Sequence, residues 1–221
     1  MADLDIPCRG VLFDFDGVLA ASTASAERAW SRWAVEYSIS PEKVLEGLHG
    51  RRSTDTVSTF LPESQHEAGL ARIEELERDD APSIRAIPGA AELLTALPGN
   101  WAIVTSGTSK LLAARLAVLG FPAPPIVVTG GDVTAGKPAP DGYLRAAELL
   151  GYASSDCVVV EDAPPGVQAG RASGAAAVIG VGELALTTDA DPVVRDLRGV
   201  SWTGTGLRVQ AGAQLRSARP H

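Results

Sequence analysis

The 221-residue sequence contains only two cysteines, Cys8 and Cys157. Small disulfide-stabilised folds carry several cysteine pairs, and a structural zinc site needs a cluster of Cys or His ligands. One pair of cysteines provides no disulfide framework, and a zinc site would need further ligands. The sequence therefore gives no indication of either.

Positive charge is also scarce, because 19 Lys and Arg residues face 27 Asp and Glu residues, which gives a formal net charge of −8. Nucleic acids and anionic membranes are bound through clustered Lys and Arg side chains. We therefore expect neither as the main partner. A small anionic substrate remains possible, because a local site can be positive on an acidic protein.

Long hydrophobic runs are absent as well, since no apolar segment approaches the roughly 20 residues of a membrane-spanning helix. Asp14 and Asp16 interrupt the one apolar run near the N-terminus. The hydrophobic content of 45% fits a soluble globular protein with a sizeable core, as one large domain or a domain plus an insertion. We expect a cytoplasmic protein without an export signal, as a monomer or weak homodimer.

The most informative segment is the apolar run over residues 11–13, which ends in Asp14 and Asp16 and is followed by Gly17. Gly17 indicates that a strand ends there and leaves both carboxylates at its C-terminal tip. Strand tips are where open α/β sheets build ligand sites, and two acids this close repel unless a cation or a shared proton relieves them. The alternative for this segment alone is an ordinary Asp-Gly turn after a strand.

The rest of the chain divides into two parts with different sequence patterns. Residues 22–84 predict helices, and Trp30, Trp33, Ala34 and Tyr37 recur at the spacing of an apolar helix face. From residue 85 onward, short apolar strands alternate with helices, as in a parallel sheet covered on both faces. We predict an α/β fold: a Rossmann-like parallel sheet core of residues 1–21 and 85–221 with an inserted helical cap domain of residues 22–84. Strands are expected at residues 9–14, 101–105, 126–129, 157–160 and 175–181, with short ones possible near 193–194 and 200–202.

Polar residues follow the first four of the predicted core strands. Each has an ordinary alternative by itself: Ser106 as a helix cap, Lys137 as a solvated loop lysine, and the acidic pair at 161–162 as an exposed turn. Their joint placement at successive strand tips favours one shared site. The clusters are Asp14 and Asp16, then Thr105, Ser106 and Gly107, then Lys137, and finally Glu161 and Asp162.

Such a site would combine carboxylates, a hydroxyl, a helix N-terminus and an ammonium group. Clustered carboxylates suit Mg²⁺, and a hydroxyl with backbone N–H groups at a helix start binds phosphate. A lysine neutralises a phosphoryl group as a point charge. Together these groups indicate phosphoryl transfer, in which a carboxylate attacks phosphorus and a second acid moves the proton.

Four segments of the chain resemble, in order, the motifs of the haloacid dehalogenase-like hydrolases, in the branch with a helical cap after the first strand. The resemblance covers nearly the whole chain and fades after about residue 187. It is specific for the superfamily and much less so for the substrate. The matching segments are residues 14–19, 104–107, 136–141 and 160–166.

The resemblance implies a role for each motif residue. Asp14 would be the nucleophile and Asp16 the general acid/base, while Ser106, assisted by Thr105 and Gly107, would bind the phosphoryl group. Lys137 would bridge that group and the nucleophile. Mg²⁺ would be held by Asp14, the backbone carbonyl of Asp16 and Asp162. Glu161 would be a metal ligand or act through a bound water.

The sugar phosphatases of this superfamily that act on hexose and polyol phosphates are similar at residues 27–30, 48–50 and 101–107. Those that act on 2-deoxyglucose-6-phosphate and glycerol phosphate are similar around residues 49–52. This resemblance implies a small sugar or polyol phosphate as the substrate. Arg51 and Arg52, in the cap after Gly50, are placed to reach it, although a cap–core salt bridge or a solvated face is an equal alternative. The family usually has Asp at the position that Ala21 occupies here, so the flap after the nucleophile strand lacks one side chain that would hold it in place.

Other functions remain as alternatives. A phosphomutase of the β-phosphoglucomutase kind shares core and cap, but its cap histidine is replaced here by Ala26. Dehalogenases need no second aspartate, and phosphonate hydrolysis needs a cap lysine, for which only the exposed-looking Lys43 is present. A catalytically silent protein that binds a metabolite is the alternative from another class, although it would have no need to retain every motif residue.

Overall fold

The computed structural model describes residues 2–216. Its strands in chain order are β1 (Leu4–Pro7), β2 (Gly10–Phe13), β3 (Ala20–Ala21), β4 (Arg85–Ala86), β5 (Trp101–Val104), β6 (Ile126–Val128), β7 (Cys157–Glu161), β8 (Ala177–Val181), β9 (Val193–Val194), β10 (Val200–Trp202), β11 (Gly206–Val209) and β12 (Gln214–Arg216). Its α-helices are α1 (Thr23–Glu36), α2 (Pro41–Leu45), α3 (Ser53–Phe60), α4 (His66–Asp80), α5 (Ala90–Ala96), α6 (Ser109–Leu119), α7 (Asp141–Leu150) and α8 (Pro164–Ala172).

Within these residues, the main sheet has seven strands in the order β12-β9-β8-β7-β2-β5-β6. All neighbours are parallel except β12, which runs antiparallel to β9. Strand β2 lies in the centre, where Val11 and Phe13 pack with residues of α5 and α6, and Leu12 packs with residues of α7 and α8. The predicted α/β fold with a parallel sheet between two helical layers is confirmed.

The strands predicted in the core are all present, including the two short ones near residues 193–194 and 200–202. Strands β1 and β11 were not predicted. They pair antiparallel, with Leu4 opposite Val209, and β10 adds to β11 to form a small second sheet. Each is four residues long, so neither segment carries enough pattern on its own, and the pairing joins opposite ends of the chain.

Helices α1 to α4 pack around an apolar cluster of their own. The predicted stripe on α1 is buried, and Trp33 Nε1 donates a hydrogen bond of 2.9 Å to the carbonyl oxygen of Gly69 on α4. Ile73 and Leu76 complete the cluster from α4. Among the described helices, none is both long and apolar enough to cross a membrane.

The two connections to this helical segment run side by side. Strand β3 enters it and β4 leaves it, and they pair antiparallel with Ala20 opposite Ala86. The segment therefore emerges directly after Asp14 and Asp16, beside the carboxyl ends of the parallel strands. The division into a core of 1–21 and 85–221 and a cap of 22–84 stays a prediction that this arrangement supports. Residues 1 and 217–221 of that core lie outside the described residues.

Candidate active site

The carboxyl ends of β5, β2 and β7 lie side by side, because β2 pairs in parallel with both neighbours. Asp14 follows β2, Thr105 and Ser106 follow β5, and Glu161 ends β7. Lys137 reaches the same place from the loop after β6. The predicted convergence of Asp14, Lys137 and the acidic pair at 161–162 is therefore what the structure shows.

Lys137 is the buried centre of this cluster. Its Nζ donates to Asp14 Oδ1, to Glu161 Oε1 at 2.6 Å and to the Val104 carbonyl oxygen at 3.3 Å. Burial by itself lowers the pKa of this ammonium group, but the carboxylates of Asp14 and Glu161 outweigh burial and hold the pKa above its ordinary value. Lys137 is therefore a permanent positive charge beside the predicted nucleophile.

Asp14 lies in a strongly acidic environment. Burial raises its pKa from 3.8 to about 8; Lys137 opposes this rise, and the carboxylates of Glu161 and Asp16 add to it. The pKa of Asp162 is likewise raised, chiefly by burial and by the charge of Glu161. A second cation at this place would relieve the repulsion and keep Asp14 ionised.

The donor set fits a hard divalent cation. Asp14, Glu161 and Asp162 each offer a carboxylate oxygen, and these oxygens lie within 4.8 Å of one another. Oxygen ligands of this kind suit Mg²⁺ and Ca²⁺. No thiol or imidazole belongs to the group, so a transition metal that prefers those ligands is disfavoured.

Glu161 differs from the other two members because both its oxygens are already hydrogen-bonded. Oε1 accepts from Lys137 and from the Tyr143 hydroxyl at 2.7 Å. Oε2 accepts from the backbone N–H groups of Asp162 at 2.9 Å and Ala163 at 3.3 Å. Asp14 and Asp162 are therefore better placed than Glu161 to bind a cation directly.

Two glycines make room for these carboxylates. Gly17 has φ +82°, and a Cβ there would lie 2.0 Å from Asp162 Oδ2. A Cβ on Gly166, in the first turn of α8, would lie 1.6 Å from Glu161 Oε1. Side chains at either position would collide with the acidic cluster.

Asp16 lies outside the cluster of three carboxylates. Its Oδ1 accepts hydrogen bonds from Ser22 Oγ at 2.5 Å and from Arg115 Nη1 at 2.6 Å. Neither Ser22 nor Arg115 was predicted as a site residue. A signal was present for Arg115, because it occupies the apolar stripe of α6 between Leu111, Leu112 and Leu116, where a charged residue needs a buried partner.

The residues after β5 meet the helical segment. Ser106 Oγ donates to the Gly50 carbonyl oxygen at 2.8 Å, and Thr105 Oγ1 accepts from the N–H of Gly107 at 3.0 Å. Thr108 caps α6 by accepting from the N–H of Leu111, and its hydroxyl also donates to Glu74 of α4. The predicted phosphate-binding residues are thus held at the boundary between core and helical segment.

The two predicted arginines have different surroundings. Arg52 Nη1 donates to the Thr134 carbonyl oxygen at 3.1 Å, and its Nε and Nη2 pair with Asp55. Arg52 therefore bridges the helical segment to the loop before Lys137. Arg51 instead borders the cavity above Asp14.

This cavity opens to solvent. Its wall combines both predicted aspartates and Asp162 with residues of α1, α4, α6 and the loop at 48–53. Its polar and apolar side chains suit a small hydroxylated ligand. The lining includes Asp14, Asp16, Ser22, Ala26, Trp30, Leu48, Arg51, Glu77, Ser106, Gly107, Arg115 and Asp162.

Comparison with known proteins gives a consistent result. The family model described as haloacid dehalogenase-like hydrolase matches residues 8–174. Hexitol phosphatase A of Escherichia coli (strain K12) is 44% identical over 173 residues, which cover 76% of this chain and 80% of that protein. 2-Deoxyglucose-6-phosphate phosphatase 1 of Saccharomyces cerevisiae is 34% identical over 218 residues, with coverage of 86% and 88%.

A solved structure of a hydrolase from Pseudomonas syringae superposes with a TM-score of 0.77 and 27% identity, covering 87% of this chain and 95% of that one. The fold, the order of the motifs along the chain and the matched residues therefore agree. The chain belongs to the haloacid dehalogenase-like hydrolases.

Proposed function

We propose that the protein is a Mg²⁺-dependent phosphatase that hydrolyses small sugar or polyol phosphates through an aspartyl-phosphate intermediate. The observation that carries this proposal is the different environment of Asp14 and Asp16. Asp14 contacts Lys137 in the acidic cluster, whereas Asp16 is held by Ser22 and Arg115 at the cavity wall. Two carboxylates with different surroundings can serve as nucleophile and as proton carrier.

In this mechanism Asp14 attacks the phosphorus of the ester and the bond to the leaving alcohol breaks. Asp16 gives its proton to the leaving oxygen. The same carboxylate then takes a proton from water, which attacks the aspartyl-phosphate and releases phosphate and free Asp14. Positioned acid–base groups of this kind contribute roughly 10²–10⁴-fold in rate.

The remaining core residues would hold the phosphoryl group. Ser106 and Gly107 border the cavity together with Asp14, and Thr105 lies beside them on the side of Lys137. Hydroxyl and backbone N–H groups at the start of α6 offer hydrogen bonds to phosphoryl oxygens. Lys137 would neutralise charge that develops between these oxygens and Asp14.

Mg²⁺ would be held by the carboxylates of Asp14 and Asp162 and by the backbone carbonyl of Asp16. The cation would screen the repulsion between the anionic nucleophile and the anionic phosphate. Because both oxygens of Glu161 are engaged within the protein, we propose that Glu161 holds Lys137 in place and contacts the cation at most through water.

The substrate class rests on the relatives and on the cavity. The two curated relatives above are named for a hexitol phosphate and for 2-deoxyglucose-6-phosphate. Arg51 and Glu77 offer polar contacts for hydroxyl groups, and Trp30 and Leu48 offer apolar contacts for the carbon chain. Arg52 would act by docking the helical segment onto the core and only indirectly on the substrate.

The direct test is phosphate release from hexose, pentose and polyol phosphates, with Mg²⁺ and with the cation removed by EDTA. We expect turnover of at least one of these esters, loss of turnover in EDTA, and loss in Asp14→Asn. Asp79→Asn, at an exposed aspartate on α4, is the matched control and should retain activity. Acid-quenched enzyme should carry one phosphoryl group on Asp14.

Other results would replace the proposal. Undiminished Mg²⁺-dependent turnover by Asp14→Asn would contradict the mechanism. Interconversion of two sugar phosphates without release of phosphate would identify a phosphomutase. Binding of a phosphorylated metabolite without turnover of any ester would identify a binding protein.

We further propose that the enzyme works in the cytoplasm as a monomer or weak homodimer. Cys8 and Cys157 are buried free thiols, which suits a reducing compartment. Fractionation of cells and light scattering of the purified protein test these two points.

A further inference from the structure

Arg115 is a buried cation at the edge of the cavity. Its side chain is only 3% exposed, although α6 presents this position on its apolar face. A guanidinium in such a place needs paired partners, because its burial without them is costly. Nη1 donates to Asp16 Oδ1 at 2.6 Å, and Nη2 lies 3.4 Å from Glu77 Oε1. Nε is buried without a hydrogen-bond partner within residues 2–216.

The contacts to Asp16 are selective for one oxygen. Ser22 Oγ and Arg115 Nη1 both donate to Oδ1, and they come from two separate segments, the residue before α1 and the middle of α6. Two donors on one oxygen fix the rotation of the carboxylate. With Oδ1 engaged by both donors, Oδ2 is the oxygen left to exchange a proton with a ligand.

We propose that Arg115 is a positioning residue that, together with Ser22, orients the carboxylate of Asp16 so that Oδ2 carries the proton to and from the substrate. This inference rests on the proposed function, because it assigns Asp16 the acid/base step. Arg115 acts through Asp16 and makes no bond to the reacting atoms.

Glu77 extends this arrangement to the helical segment. It lies on α4, is buried, and pairs with the same guanidinium that binds Asp16. Its contact exists only while α4 packs on α6. Arg115 therefore connects the position of the helical segment to the orientation of the proton carrier in the core.

The inference predicts a dependence on the leaving group. Loss of an oriented acid slows cleavage of esters whose alcohol leaves poorly, and hardly affects esters whose anion leaves without protonation. The parameter kcat/KM covers the steps up to release of the alcohol, so it reports this effect. A merely structural defect would lower kcat/KM for all esters by a common factor.

The experiment compares phenyl phosphate with para-nitrophenyl and dinitrophenyl phosphate in the parent, Arg115→Met and Arg115→Lys. We expect Arg115→Met to lower kcat/KM for phenyl phosphate about 10- to 100-fold, and for dinitrophenyl phosphate less than about 3-fold. Arg115→Lys keeps one donor and should recover part of the loss on phenyl phosphate. Leu112→Ala, in the core on the same helix, controls for lost stability, and Arg145→Met controls for lost surface charge.

A double variant keeps the test decisive if Arg115→Met fails to fold. On an Asp16→Asn background, Arg115→Lys should cause no further loss on phenyl phosphate, because the group that Arg115 positions is gone. An equal loss of kcat/KM from Arg115→Lys in the parent and on the Asp16→Asn background would overturn the inference. So would a uniform loss over the ester series, or a rise in KM alone, which would indicate a contact with the substrate.

Failure of the proposed function gives a different result. In that case the parent releases no phosphate from any ester, or Asp14→Asn retains full activity, before any Arg115 variant is compared. The role of Arg115 alone would be refuted if the parent is active, Asp14→Asn is inactive, and the Arg115 variants show no leaving-group dependence.

Discussion

The Tyr143 hydroxyl donates a hydrogen bond of 2.7 Å to Glu161 Oε1, and both side chains are fully buried. Burial, with the charges of Glu161 and Asp14, raises the pKa of the Tyr143 hydroxyl well above its ordinary value, so the hydroxyl stays a donor. Lys137 Nζ lies 5.3 Å from the centre of the same ring. Tyr143 therefore supports both charged residues that flank Asp14.

Tyr143→Phe should separate these two contributions, because it removes the hydroxyl and keeps the ring. A hydrogen bond to a charged group contributes about 1.5–3 kcal/mol, and we expect a loss of that order in the free energy of unfolding. The cation–π contact with Lys137 is retained, so kcat should fall less than about 10-fold. Urea unfolding and phosphate release measure the two effects. Tyr152→Phe, at a partly buried tyrosine whose ring lies against Arg9, is the control. An equal loss of stability there would show that the Glu161 contact contributes nothing.

Asp162→Asn tests the assignment of the cation site. Burial and the neighbouring carboxylates raise the pKa of Asp162, so removal of its charge should leave the cation-free protein at least as stable as the parent. A ligand that binds only the folded state at 100 times its Kd stabilises that state by about 2.7 kcal/mol. We expect Mg²⁺ to stabilise the parent in thermal unfolding, and this gain to be largely lost in Asp162→Asn. Asp156→Asn, a surface aspartate paired with Arg9, should retain the gain, and an equal gain in both variants would contradict the assignment.

The sequence was sufficient to predict which residues meet at the strand tips. Parallel neighbours place their carboxyl ends at one edge, so Asp14, Ser106 and Glu161 follow from the order of strands and motifs. The contacts of Arg115 with Asp16 and Glu77 could not be predicted in the same way. They depend on the rotation of α6 about its axis and on the docking of α4, both of which are set by tertiary packing.

The same limit explains the unpredicted small sheet. Strand β1 pairs with β11 across nearly the whole chain, and neither segment has a local pattern strong enough to indicate its partner. The hydrogen bond from Tyr143 to Glu161 could not be predicted either, because Tyr143 lies on the buried face of α7 and approaches Glu161 only after that helix packs on the sheet.

Glu77→Gln should change the pH dependence of stability. Burial, opposed by Arg115 and reinforced by Asp16, raises the pKa of Glu77 from 4.5 to about 7. Between pH 4.5 and about pH 7 the folded protein keeps a proton on Glu77 that the unfolded chain releases. The contribution of Glu77 to the free energy of unfolding therefore falls as pH rises through this range. At about 1.4 kcal/mol per pKa unit, the ionised carboxylate costs roughly 3 kcal/mol at about pH 8. The neutral variant should gain stability relative to the parent by that order between about pH 5 and pH 8.

Chemical unfolding of both proteins at the two pH values measures this gain. Glu67→Gln, at an exposed glutamate on the same helix, is the matched control for the change of residue type. A stability difference between parent and Glu77→Gln that is the same at both pH values would show that Glu77 does not carry the effect.

Gly17→Ala should damage the cation site more than it damages the fold. Gly17 has φ +82°, and the added Cβ would lie 2.0 Å from Asp162 Oδ2, so Asp162 must move away from Asp14. Gly99 has φ +88° with open space around its Cβ position, so Gly99→Ala carries the same backbone strain, about 1–2 kcal/mol, without the collision. We expect both variants to lose a similar amount of the free energy of unfolding through this strain. Only Gly17→Ala should bind Mg²⁺ more weakly and lose at least about 10-fold in kcat/KM, because a misplacement of about 1 Å can cost 10²-fold in rate. Equal Mg²⁺ affinities, measured by calorimetry, would show that Asp162 does not need the space that Gly17 leaves.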